Sequence, residues 1–167
     1  MVKEIKLGGK HSNGSVTLVD DDDFTAFSSF NWVLSYNGYA IRYLTVDGKS
    51  ISIALHREIA KTPKGLEVDH INGNRLDNTK SNLRNTTHAE NLRNQRRTKI
   101  NTTSKYKGVS WISEKKKWRV EIKKNYKSKH LGYFDNEHDA ARMYNFWATD
   151  LFGEYAHLNV IKEDIAI

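Results

Sequence analysis

Along the chain the spacing of apolar positions changes period several times, and the changes mark out the elements. In the first third the apolar stretches are short. Residues 16–19 form one, the aspartates 20–23 offer N-caps, and Phe24 and Phe27 give a brief helix its apolar side. Residues 31–36 and 39–46 are rich in aromatic and β-branched side chains and flank Asn37-Gly38, while Asp47-Gly48 precedes 50–55. Both dipeptides are hairpin turn signals, so an antiparallel meander is expected, with a helix over 56–61 behind it and Pro63 in the next turn. Residues 67–71 read as a strand, Asn72-Gly73 as a turn, and a short return strand leads to a helix over 87–95. Thr86 or Thr87 is its N-cap, and Glu90 completes a capping box with Thr87. Residues 96–105 have no periodicity. Beyond them 106–111, 117–123 and 129–134 alternate as strands, and Ala140, Ala141, Tyr144, Ala148 and Leu151 recur at helical spacing within 136–152.

The expected fold class is therefore α+β. A small N-terminal antiparallel β unit (1–55) leads into a ββα unit (56–95), then a basic linker (96–105), then a three-stranded antiparallel sheet packed on one helix (106–160).

Composition sharpens this picture. With 167 residues, 38% hydrophobic and 28% charged, small units with thin cores are expected rather than one thick-cored domain. The chain has no cysteine, which excludes disulfides and thiolate metal sites. Its net charge of +7 is unevenly spread: Arg and Lys crowd residues 84–129, a pattern that fits a polyanion. No apolar run approaches a membrane span and the N-terminus lacks a signal-peptide core, so no membrane partner and a cytoplasmic location are expected.

The candidate chemistry lies in VDHINGNRLDNTKSNLRNTTHAENLRNQ, residues 68–95. Neighbours in a strand point to opposite faces, so Asp69 and His70 have different jobs. Phosphodiester hydrolysis needs a base for water and a cation for the phosphate and the leaving 3′-oxygen. A histidine that titrates near neutrality suits the first, and a carboxylate binding a hard ion suits the second. Asn91, on the helix, can offer the ion a second oxygen, and the Asn82 amide can bridge main-chain groups of the loop. His88, three residues before Asn91, is read as solvent-exposed, with ion ligation or a phosphate contact as its other readings, and Gln95 is a further group near the ion. The pair His56-Arg57 is expected to cap a helix or make a core hydrogen bond, with Arg57 on a phosphate as the other reading. His11, His130, His138 and His157 are assigned no catalytic part.

These residues resemble the HNH, or ββα-metal, endonucleases, with spacing similar to that of nicking homing enzymes of phage introns. The resemblance implies His70 as general base, Asp69 and Asn91 as ligands of one magnesium or manganese ion, and Asn82 as the organiser of the loop. Asn74, Asp77 and Asn78 resemble the family's turn residues. The last motif position is Asn91 rather than His, which argues against zinc.

A second resemblance covers 106–159, to the Apetala-two (ethylene-response-factor) DNA-binding domains. Tyr106-Lys107-Gly108-Val109, Trp118–Ile122, Leu131–Phe134, Ala140-Ala141 and Asn159 carry it. In 117–123, Trp118, Val120 and Ile122 share one face and Arg119, Glu121 and Lys123 the other. Such a sheet can enter a major groove. Arg119 is the candidate guanine reader, with Lys107, Trp111, Lys123, His130 and Tyr133 expected as neighbours on that surface. Arg96, Arg97 and Lys99 of the linker are expected to track phosphates.

The expected activity is a site-directed, metal-dependent cut in double-stranded DNA, of phage or mobile-element type. One motif per chain nicks one strand, so a monomer nicks and a double-strand break needs a homodimer or two events. The alternative is a DNA-binding regulator whose nuclease motif is vestigial.

Overall fold

The computed structural model describes residues 1–94 and 103–162, so Gln95, Arg96, Arg97 and Lys99 lie outside the described residues. Two compact units emerge, Met1–Leu92 and Arg93–Ile167, the whole a mixture of small antiparallel sheets and short helices.

In the first unit β1 (Val2–Lys6) pairs antiparallel with β2 (Val16–Asp20), and α1 (Asp21–Phe27) follows. The β1 strand was not foreshadowed by the pattern, because only Ile5 of its five residues is buried and period two has nothing to alternate with. The aspartate run does begin α1, but Asp20 caps nothing: its carboxylate accepts from the Lys80 N–H at 2.7 Å. A meander follows, β3 (Val33–Leu34), β4 (Ala40–Val46) and β5 (Lys49–Ala54), with α2 (Leu55–Ile59) after it. The strand expected over 31–36 shrinks to two residues. The turn takes the rest, closed by Ser35 N–H to Tyr39 O at 2.9 Å and Gly38 N–H to Ser35 O at 2.9 Å.

Next come β6 (Glu67–His70), β7 (Leu83–Thr86) and α3 (His88–Asn94), with a 3₁₀ turn at Lys80–Asn82 leading into β7. The register sets Asp69 opposite Arg84 and His70 opposite Leu83. Thr87 and Glu90 form the expected capping box: Glu90 Oε2 accepts the Thr87 N–H at 2.8 Å, and Thr87 Oγ1 accepts the Glu90 N–H at 3.3 Å. Leu76 and Leu83 pack against the core formed by Leu7, Val19, Trp32 and Leu55, so the loop between β6 and β7 is anchored on the N-terminal strands. The anchor is also polar, with Leu18 N–H to Leu76 O and Asn78 N–H to Leu18 O, each 2.8 Å.

In the second unit β8 (Val109–Ile112), β9 (Lys117–Lys124) and β10 (Lys127–Phe134) form a sheet in the order β10-β9-β8, and α4 (Glu137–Phe152) packs on it. Val120, Ile122, Ala140, Ala141, Tyr144 and Ala148 form the core, the apolar face expected of β9 meeting the small-residue stripe of α4. The first strand starts at Val109, not 106, because Gly108 turns the chain at φ +76°. A Cβ there would stand 2.1 Å from Tyr144 Cδ2 and 2.7 Å from the Glu121 carbonyl, so only glycine fits. Asn159 closes the unit: its amide accepts from Lys107 N–H at 2.6 Å and donates to Lys107 O at 3.1 Å. Among the described residues no helix is long and apolar enough to cross a membrane.

Candidate active site

Strand β6 divides its chemistry between two faces. Glu67 and Asp69 alternate onto one, Val68 and His70 onto the other. On the first face Arg84, opposite Asp69 in the register, donates to Asp69 Oδ2 from Nε at 2.9 Å and from Nη2 at 2.6 Å. Both side chains are largely buried, at 5% and 14% exposure, so this is a tight, charge-assisted pair rather than a solvated contact. Glu67 reaches α3: its Oε2 accepts from Asn91 Nδ2 at 2.6 Å, and its Oε1 lies 2.7 Å from His88 Nδ1. These two bonds hold the Glu67 carboxyl below the usual glutamate range, the one to Asn91 contributing most.

The orientation of Asn91 follows. A carboxylate can only accept, so it fixes the nitrogen side of the Asn91 amide and leaves Oδ1 as the donor atom for a cation. The residues present suit a hard divalent ion: a carboxylate at Asp69 and an amide oxygen at Asn91, without sulfur. Among the described residues no group of three or more His, Asp or Glu side chains is arranged to hold an ion by itself. A cation on Asp69 and Asn91 would therefore keep open positions for water and phosphate oxygens.

On the other face His70 is buried, 6% exposed, with Nε2 3.1 Å from Asn78 Oδ1. The rings of His56 and Tyr39 lie beside it, at centroid distances of 5.3 and 6.0 Å. Burial holds His70 below the ordinary histidine value, against the opposing pull of the Asn78 bond and the charges of Asp69 and Asp77. His70 is thus neutral at physiological pH, the state a base requires. His56 is lowered to about 4, by burial first and then by His70 and Arg57. Of the pair His56-Arg57, His56 makes neither a helix cap nor a core hydrogen bond, its Nδ1 buried without a partner among the described residues, while Arg57 Nη1 donates to Leu66 O at 3.1 Å.

Asn82 bridges the loop between β6 and β7. Its Oδ1 accepts from Asn72 N–H at 2.9 Å and its Nδ2 donates to Asp77 O at 2.7 Å, which ties the turn after β6 to the segment before β7. Asn74 and Asp77 make local turns, accepting from Leu76 N–H at 3.1 Å and Thr79 N–H at 3.4 Å. Asn78 does not act as a simple turn former, since its side chain is fully buried against His70. His88 is exposed at 70%, as read, but is engaged by Glu67. The sequence did not single out Glu67 or Arg84. Only the register, which puts Arg84 opposite Asp69, offers a signal for one of them.

The second unit sorts the nucleic-acid candidates by face. Ser110, Arg119 and Tyr133 lie in one cross-strand row, Glu121 and His130 in the next, and Lys123 beyond. A bulge between His130 and Gly132 brings both His130 and Tyr133 to this side, their rings 4.7 Å apart. Arg119 Nη2 pairs with Glu121 Oε2 at 3.2 Å. Trp111 was expected here and lies on the other side: it stands opposite Trp118, ring centroids 5.0 Å apart, in line with the buried pair Val109 and Val120. Lys107 is likewise turned away. Its ammonium donates to Arg93 O at 2.7 Å, and burial lowers it to about 8.

A family model described as HNH endonuclease matches residues 55–93. An uncharacterized HNH endonuclease of Acanthamoeba polyphaga mimivirus is 36% identical over 154 residues, covering 89% of this chain and 76% of that protein. Protein 3.8 of Escherichia phage T7 is 44% identical over 57 residues, 34% of this chain and 46% of its own length. No solved structure matches the chain. Nucleases of this family generally use a divalent metal ion, and the family match falls on the β6–β7–α3 segment that carries Asp69, His70, Asn82 and Asn91. The chain belongs to the HNH endonuclease family.

Proposed function

We propose that the protein is a site-directed, metal-dependent DNA endonuclease of the homing type, cutting one strand per active site. The observation that carries this reading is the division of β6: the Asp69 carboxylate on one face and the buried His70 on the other, one residue apart. Asp69 and Asn91 would hold a single magnesium or manganese ion, with Glu67 orienting the Asn91 amide. When bound, that ion supplies positive charge beside the phosphate and the leaving 3′-oxygen. His70 takes a proton from water, the resulting hydroxide attacks phosphorus, and the bond to the 3′-oxygen breaks. Asn82 keeps the loop in the shape that sets His70 and Asp69 in place.

The double-stranded target is recognised by residues 106–160, read as an Apetala-two type domain, with 56–95 as the nuclease motif on its N-terminal β unit 1–55. Arg119, Glu121, Lys123, His130 and Tyr133 share the face that would meet the groove, Arg119 reading guanine. Arg96, Arg97 and Lys99 of the linker 96–105 would follow the phosphates. Trp111 and Lys107 are left out of that surface by their placement. The viral sources of both relatives support a phage or mobile-element origin and action in the host cytoplasm. A nicking monomer, or a homodimer making a double-strand break, fits a single motif per chain.

A supercoiled-plasmid assay with and without magnesium tests the reading. Wild-type protein should convert plasmid to the nicked circle only with the ion, and His70→Ala and Asp69→Ala should not. Binding of DNA without metal-dependent cleavage would instead establish a regulator with a vestigial motif.

A further inference from the structure

Thr17 and Asn78 have no part in the chemistry above, yet both side chains have 0% exposure and lie in line behind His70. Asn78 Oδ1 is 3.1 Å from His70 Nε2, Asn78 Nδ2 is 2.7 Å from Thr17 Oγ1, and Thr17 Oγ1 is 2.9 Å from the Leu76 carbonyl oxygen. Distances alone do not orient an amide or place a ring proton, but counting protons does. The Leu76 oxygen can only accept, and it also takes the Leu18 N–H at 2.8 Å. The single hydroxyl proton of Thr17 is therefore spent on Leu76. Toward Asn78, Thr17 can only accept, so the amide nitrogen faces Thr17 and the amide oxygen faces the imidazole. In the reversed orientation two oxygens would meet 2.7 Å apart with no proton between them and no solvent to supply one. An oxygen facing Nε2 requires Nε2 to donate.

We infer that Thr17 and Asn78 are positioning residues that hold the proton of neutral His70 on Nε2 and make Nδ1 the proton-accepting nitrogen. The inference rests on His70 acting as the base. It gives the N-terminal strands a part in catalysis, since β2 supplies Thr17 and the main-chain bonds of Leu18 to Leu76 and Asn78 fix the spacing of the relay. The rings of Tyr39 and His56 lie beside the imidazole, at centroid distances of 6.0 and 5.3 Å.

The test uses the full-length protein labelled with ¹⁵N-histidine, in long-range ¹H–¹⁵N correlation spectra at a pH where imidazole is neutral. His70 is assigned by comparison with His70→Ala. Wild type should show a pyrrole-type Nε2 and a pyridine-type Nδ1. Thr17→Val, which removes the hydroxyl at nearly constant shape, should populate both tautomers. Its kcat for plasmid nicking should fall about tenfold or more, up to the ~10²–10⁴ that a general base contributes, with KM unchanged. Thr17→Ser should restore both the spectrum and the rate.

A wild-type proton on Nδ1 would overturn the inference, and this readout stands even where Thr17→Val does not fold. So would an unchanged tautomer in a folded Thr17→Val. A shifted tautomer with an undiminished nicking rate would overturn it through its premise, by showing that His70 is not the base.

Discussion

Replacing Asn82 by alanine tests the loop architecture with a number attached. The side chain is 7% exposed and makes two bonds to main-chain groups, accepting from Asn72 N–H at 2.9 Å and donating to Asp77 O at 2.7 Å. Alanine withdraws both partners at once. A buried polar group deprived of its partner costs about 1–3 kcal/mol. Asn72 is exposed and Asp77 half-buried, so water can relieve part of each loss, and the lower half of that range applies. Summed over the two bonds, about 2–4 kcal/mol is expected, a large part of the ~5–15 kcal/mol that a domain holds. Asn82→Asp keeps the acceptor but sets a carboxylate oxygen against the Asp77 carbonyl, so it should recover less than half the loss. Urea unfolding followed through the amide signals of β6 and β7 measures the difference. A loss within ~0.5 kcal/mol, the usual range for surface substitutions, would show that Asn82 does not hold the loop.

Three further outcomes are expected. His56 binds its proton less readily folded than unfolded, so stability is complete above its ordinary value of 6.5 and is lost as pH falls toward about 4. The loss is at most ~3 kcal/mol, and urea melts across that window should find it in wild type and find it reduced in His56→Gln. Glu67→Ala frees the Asn91 amide to rotate and should weaken manganese binding about 10–100-fold, read by calorimetry; unchanged affinity would remove Asn91 from the ion. Gly108→Ala forces a Cβ to 2.1 Å from Tyr144 at φ +76°, and should cost about 3 kcal/mol or more of stability; a thermal melt near wild type would contradict that packing.

Much of the fold was legible because its elements obey single rules. The β9 alternation Trp118, Val120, Ile122 and the α4 stripe Ala141, Tyr144, Ala148 predict each other's faces, and the core is made of those residues. Thr87 and Glu90 announce α3 through a bond between residues close in the chain. What escaped depends on contacts that no local period encodes. Strand β1 buries one residue in five, and Thr17 meets Asn78 across 61 positions. Trp111 was expected to face the groove, but the pairing of Val109 with buried Val120 puts it, two residues on, on the helix side. Within the motif, the types and spacing of Asp69, His70, Asn82 and Asn91 marked out the segment that the family match covers. Arg84 and Glu67 were not, since their part comes from the cross-strand register and from the packing of α3 on one face of β6.

The central claim is that one face of β6 holds the ion and the other the base. Manganese binding and plasmid nicking, measured on the same preparations, test it directly. Asp69→Ala should lose both, while His70→Ala should bind the ion with wild-type affinity and fail to nick. Loss of manganese binding in His70→Ala, or nicking that survives it, would contradict the account.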